Sequence, residues 1–147
     1  MATTTPAAFM AAKALRLKAI APGGVESFQF VGRCIELDIE MIKKIPNTPC
    51  ALLANLGGEL QSANDAKWTK RMAVHVVCRS YSDVISDELA EKLDLWSELV
   101  ISELQSDRRD SGIFCTYQSE DAQIKDEEAA FAVRSLIFEY KIDRTVA

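Results

Sequence analysis

The feature that most constrains this chain is the run at residues 71–81, Arg-Met-Ala-Val-His-Val-Val-Cys-Arg-Ser-Tyr, followed almost directly by a long helical pattern. Side chains alternate along a strand, so Met72, Val74, Val76 and Cys78 fall on one side and Ala73, His75, Val77 and Arg79 on the other. One side is wholly apolar, and the other is apolar in its middle and polar at its ends. That pattern predicts a central strand covered by a helix on one face and at least partly covered on the other. Its β-branched content favours strand over buried helix.

The pattern at residues 86–105 supplies the cover. Leu89, Leu93, Trp96, Val100 and Leu104 recur at helical spacing, with Leu99 widening the stripe, so an amphipathic helix is expected. Ser86 reads as its N-cap, with Asp87 and Glu88 at the positive end of the helix dipole.

Around this pair the chain reads in order. Thr5-Pro6 starts a helix and Pro22-Gly23-Gly24 stops it. Its apolar face is Met10, Ala14, Leu17 and Ala21, and Lys13, Arg16 and Lys18 make a small basic side, read first as solvated and second as a docking surface for an acidic partner. Residues 25–31 read as a short strand with Phe28 and Phe30 on one side. Residues 35–45 fit both periods; early acids, Lys43, Lys44 and Pro46 favour helix. Residues 50–56 form a second sheet strand ending at Gly57-Gly58, and a polar connection over 59–67 follows, long for a hairpin, so that it projects from the body or arches back as a ribbon. After the long helix come a charged turn at 106–112, a strand at 113–118 with Ile113, Cys115 and Tyr117 on one face, an exposed acidic hairpin connection at 119–130, and a closing strand at 131–142. Helix, strand, helix, strand, strand, helix, strand, strand is an α+β order: one domain with a mainly antiparallel or mixed β-sheet packed against a long amphipathic helix and an N-terminal helix, with residues 1–5 and 143–147 as flexible ends.

A chain of 147 residues supports one core, and its formal charge of -5 argues against a domain whose work is gripping phosphate backbones. Cys34, Cys50, Cys78 and Cys115 include no C-x-x-C and share the chain with one histidine, which gives zinc little support; buried reduced thiols and a reducing compartment are expected. The uncharged first twelve residues lack the basic start and continuous apolar core of a secretory leader, and no run reaches the roughly 20 apolar residues that span a bilayer. No membrane partner is expected.

Residue chemistry offers no catalytic centre and no cofactor or metal site. His75 and Cys78 point to opposite faces of a strand, the serines lack a G-x-S-x-G elbow, and neither glycine pair has phosphate-loop spacing. Asp121, Asp126, Glu127 and Glu128 read as a solvated acidic loop. Trp68 and Trp96 read as packing residues.

Three stretches, Pro49-Cys-Ala-Leu-Leu-Ala-Asn-Leu-Gly-Gly58, Trp68 with Met72-Ala-Val-His-Val-Val-Cys-Arg79, and Phe131-Ala-Val-Arg-Ser-Leu-Ile-Phe-Glu-Tyr-Lys-Ile142, together with the order of elements, resemble the tail-terminator proteins of tailed bacteriophages, in particular those of contractile, Mu-like prophage tails. The resemblance covers most of the chain and lies in packing patterns without a catalytic signature. It implies a non-enzymatic virion protein, assembled in the host bacterial cytoplasm, whose homohexameric ring sits on the head-proximal end of the tail tube. There it would stop tube polymerisation and offer a surface to the neck. The implied partners are further copies of the chain, the tail tube protein, a neck or head-completion protein and the sheath terminal ring, with DNA only passing through the lumen. Another neck component, a small cytosolic thiol enzyme using Cys78 or Cys115, and a non-phage ring scaffold stay open as alternatives.

No interface residue transfers position by position from the family. Long or charged connections beside a rigid sheet are where contacts tend to be placed. That selects Glu59, Gln61, Asn64, Asp65, Lys67 and Trp68, and in the next connection Asp107, Arg108, Arg109 and Asp110, as subunit or tube contacts. The double substitution Arg108→Glu and Arg109→Glu is expected to leave the monomer folded, by circular dichroism, while weakening ring or tube association in sedimentation. Unchanged assembly would remove these arginines from the interface.

Overall fold

The computed structural model describes residues 6–20, 28, 30–35, 39–44, 49–59, 67–79, 87–106, 115–120, 124–126 and 131–143. The elements in chain order are α1 (Pro6–Lys18), β1 (Phe30–Arg33), α2 (Ile39–Lys43), β2 (Cys50–Glu59), β3 (Lys67–Arg79), α3 (Asp87–Ser106), β4 (Cys115–Glu120), β5 (Ile124–Asp126) and β6 (Phe131–Asp143). The strands form one sheet in the order β1-β2-β3-β6-β4, with β5 beside β4 on the outer side of β6. Only the β1–β2 pair is parallel among these; every other pairing is antiparallel. The expected α+β arrangement is the observed one.

Residues 71–79 lie in β3, in the middle of this sheet. β3 and β6 pair continuously from Lys67↔Asp143 to Arg79↔Phe131, and residues 72–78 and 131–138 are buried without interruption. Met72, Val74, Val76 and Cys78 join Ala132, Leu136, Phe138 and Tyr140 on the face that carries α1 and α3. All five stripe residues of α3, Leu89, Leu93, Trp96, Val100 and Leu104, are buried there. On the opposite face α2 covers one end of the sheet: Ile42 packs with Cys50, Leu52, Val77, Phe131 and Val133.

Two arginines fasten helices to the sheet. The buried Arg134 of β6 pairs with Asp94 of α3. From β3, the Arg79 guanidinium donates to the carbonyls of Ile42 at 3.3 Å and Lys43 at 3.0 Å. Those are terminal acceptors of α2, where a cation also complements the helix dipole.

Several expectations are corrected. The strand at 50–56 does not stop at Gly57-Gly58, because β2 runs on to Glu59 through a bulge in which Asn55 faces Met72 and Gly57 faces Arg71. Gly57 has φ 88°, a backbone state favouring glycine, and its N–H donates to Asn55 Oδ1 at 3.0 Å. A glycine pair that looks like a terminator in sequence here keeps a ladder going round a kink. With β3 starting at Lys67, the connection shrinks to residues 60–66. The 119–130 region is not all connection either: β4 extends to Glu120 and β5 pairs Ile124↔Val133. β6 likewise includes Asp143.

Of the strand expected over 25–31, residues 25–27 and 29 lie outside the described residues; Phe28 is not in a strand and Phe30 opens β1, so the two phenylalanines part company. Phe28 is buried against Trp96, with ring centroids 4.4 Å apart, whereas Phe30 stands opposite Cys50 and is 45% exposed. The Phe30 ring lies so close over Gly32 that a Cβ there would meet it at 2.7 Å. The helical reading of 35–45 holds for Ile39–Lys43, but Ile35, 95% exposed, is a bend before it.

α1 ends at Lys18, with Ile20 N donating to Leu17 O at 3.2 Å beyond it. Its basic side is not solvated as a whole. Lys13 is completely buried, its ammonium 5.2 Å from the Phe9 ring centroid, and that ring stacks on Tyr140 at 4.1 Å. Lys13 lies four residues from both Phe9 and Leu17, on the stripe that faces inward. Arg16 instead reaches Glu103 of α3 at 3.7 Å.

Trp96 is the largest side chain in the layer between α3 and the sheet and is 2% exposed. Trp96→Ala is expected to cost about 3–5 kcal/mol in urea unfolding, as large buried aromatics do. A loss under about 1 kcal/mol would show that α3 is not packed as described.

Candidate functional site

The sheet brings three of the sequence-selected contact residues, Glu59, Lys67 and Trp68, to one end. Glu59 closes β2, opposite Thr69. Lys67 and Trp68 open β3, opposite Asp143 and Ile142 of β6. The two ends of the 60–66 connection are therefore brought together on one end of the sheet, next to the last residues of β6. Gln61, Asn64 and Asp65 lie outside the described residues, as do Asp107, Arg108, Arg109 and Asp110, which follow the end of α3 at Ser106. Along this end Arg71 and Lys141 are exposed and Thr69 and Lys70 are half-buried, while the bulge at Leu56 leaves that leucine 51% exposed. Long cationic side chains, those of Lys70, Arg71 and Lys141, thus lie along this end of the sheet, with the apolar Leu56 at the bulge.

One polar constellation was not legible in the sequence. His75 and Ser135 stand directly opposite each other in the β3–β6 register, with Nδ1 and Oγ 2.6 Å apart. Either the serine hydroxyl donates to the ring nitrogen or an Nδ1–H donates to the hydroxyl, depending on tautomer. The pair lies in a row with Leu52, flanked by the rows Cys50–Val77–Val133 and Ala54–Ala73–Ile137. His75 is 7% and Ser135 6% exposed. A serine beside a histidine is the start of a nucleophile–base pair. Here both are sunk between apolar rows, and what the contact does is satisfy two polar groups that would otherwise interrupt a buried layer. The signal in sequence was a single polar residue on the apolar face of each long strand; the register needed to join them was not.

The cysteines behave as core residues. Cys50 is on the α2 side of the sheet, whereas Cys78 and Cys115 are on the α1/α3 side. All four are free thiols, with Cys34 half-buried and the other three buried. Burial pushes the Cys50 and Cys78 thiols up to about 12; Arg79 opposes this at Cys50, and Cys50 itself adds to it at Cys78, where Lys92 and Arg134 oppose it. Burial raises the Cys34 thiol as well. Tyr140 is pushed up to about 12 by burial first and the neighbouring Cys115 second, against Arg33. Its hydroxyl and that of Ser97 have no hydrogen-bond partner among the described residues. Among those residues no group of three or more His, Cys, Asp or Glu could hold a metal ion, and no helix is long and apolar enough to cross a membrane.

No protein-family model matches the sequence, and no curated protein matches it.

The thiols generate a prediction with a definite sign. Cys50 and Cys78 hold their protons in the fold well above the ordinary thiol value of 9.0. Between about pH 9 and 12 the unfolded chain therefore binds fewer protons than the native one, and stability falls as pH rises. The urea midpoint is expected to be flat below pH 8 and to decline above pH 9. Alkylation of the native protein at pH 8 is expected at Cys34 first, with Cys50 and Cys78 labelled only after unfolding. Fast native labelling of Cys78 would contradict this and favour the thiol-enzyme alternative.

Proposed function

We propose that this protein is a tail terminator: a structural subunit whose homohexameric ring caps the head-proximal end of a phage tail tube, ends tube polymerisation and presents a surface to the neck. The observation that carries the reading is the placement of the three stretches behind the resemblance. The first, ending at Gly58, lies in β2 apart from Pro49; the second lies in β3; the third lies in β6. Far apart in sequence, they are three adjacent strands in the sheet order. The likeness is thus concentrated in one contiguous block.

The mechanism is steric and interfacial. A ring of identical subunits joined by a heterologous contact has two different faces. One is complementary to the last tube ring, and the other is a surface on which no further tube ring docks. The ends of β2 and β3 past the bulge, carrying Glu59, Lys67 and Trp68, together with the segment 60–66 that joins them, are the proposed tube or subunit contact. DNA passes the lumen without being gripped, in keeping with the net charge of -5.

Electron microscopy of lysates from a phage carrying a nonsense codon in this reading frame tests the proposal. Overlong, headless tails are expected. Normal-length tails lying beside full heads would overturn termination and assign a joining role at the neck instead.

A further inference from the structure

Each of the two longer helices leaves one leucine turned away from the core. In α1 the buried positions are Phe9, Met10, Lys13 and Leu17, and Leu15, on the other side of the helix, is 66% exposed. In α3 the buried stripe runs from Leu89 to Leu104, and Leu95 is 51% exposed. A single exposed leucine is ordinary; the surroundings of these two are complementary. Leu15 has Ala11 four residues before it and Lys18 three after it, both exposed. Leu95 has Glu91 four before it and Glu98 three after it, also exposed. Residues at those offsets share a helix face. The patches therefore have the same spacing, one built from a small residue, a leucine and a cation, the other from a leucine between two carboxylates. Across its whole length α1 has three cations and no acid.

We infer that these patches meet between copies of the chain: the outer face of α1 in one copy packs on the outer face of α3 in the next, Leu15 against Leu95, with Lys18 among the carboxylates of Glu91 and Glu98. The same chemistry already operates within one chain, where α1 and α3 touch and Arg16 reaches Glu103 at 3.7 Å. The contact between copies repeats it on the opposite sides of the same two helices, and Ala11 lets the partner helix approach closely. Because the two patches differ, the contact is heterologous and leaves a free patch of each kind at the ends of any open array, which closure into a ring removes. This inference rests on the ring reading above and supplies the surface that such a ring would use.

The test mixes two single-site probes, Leu15→Cys and Leu95→Cys, each in a Cys34→Ser background, under mild oxidation. Both positions are exposed, so folding is expected to be retained. A crosslinked dimer is expected in the mixture and in neither protein alone, and Lys18→Glu in the first partner is expected to lower its yield at least several-fold. Crosslinking of the Leu15→Cys protein with itself would mean a symmetric α1 contact and would overturn the inference. No crosslink in the mixture, while the unaltered protein sediments as a closed ring, would overturn this surface and leave the ring standing. A monomer in sedimentation at all concentrations, with and without tail tubes, would overturn both.

Discussion

Everything in this fold hangs on the antiparallel ladder between β3 and β6. Both strands are buried on both faces over most of their length, so each needs apolar side chains at odd and even positions alike. A central strand of that kind is stable only when helices or loops cover both sides of the sheet. α1 and α3 do so on one face, and α2 on part of the other. The ladder also sets the register that decides which polar residues meet: His75 faces Ser135 only because Arg79 faces Phe131 four pairs away. A slip of one residue would turn both apolar rows over and bury Arg134 on the side where Asp94 is absent.

The polar groups inside this sheet are concentrated where separate pieces of chain must be held in one orientation. Arg134 with Asp94 fastens α3 to β6, Arg79 closes the last carbonyls of α2, and the His75–Ser135 contact ties the two central strands. Apolar packing is strong but indifferent to small rotations, whereas hydrogen bonds and charged contacts are directional. A buried cation or histidine left without such contacts would cost more than it contributes. The same division of labour suits the proposed ring subunit: a rigid sheet in the middle, contact groups at the ends of β2 and β3 and on the outward helix faces.

Much of the architecture was legible in the residues. The double-sided apolar pattern at 72–78, the five-residue stripe of α3 and the interior closing strand each follow from periodicity and from what a covered strand demands, and the helix start at Pro6 follows from the fixed φ of proline. Errors cluster where a local signal was outvoted by partners elsewhere. Gly57-Gly58 has the composition of a terminator, yet cross-strand pairing with β3 carries the chain through it. The acids near residue 125 look like a solvated loop, yet the open edge of β6 beside Val133 recruits three residues as β5. Lys13 has the charge of a surface residue and the spacing of a core one, and spacing prevailed because α1 is covered by both the sheet and α3. The candidate contact residues were legible only as a location. Glu59, Lys67 and Trp68 fall together at one end of the sheet because β2, β3 and β6 end side by side there, and no pattern within the 59–68 segment itself says so.

By itself the sequence determined the apolar face of α3 and the double-sided burial of β3 and β6, because these depend on the order of side chains along a few turns or a few strand residues. Only the tertiary structure decided the strand order, the parallel placement of β1, the bulge at Gly57, the burial of Lys13 and the meeting of His75 with Ser135. Those depend on which residue stands across from which at long separation in the chain. Local propensity carries no information about that register until the whole sheet closes around its core.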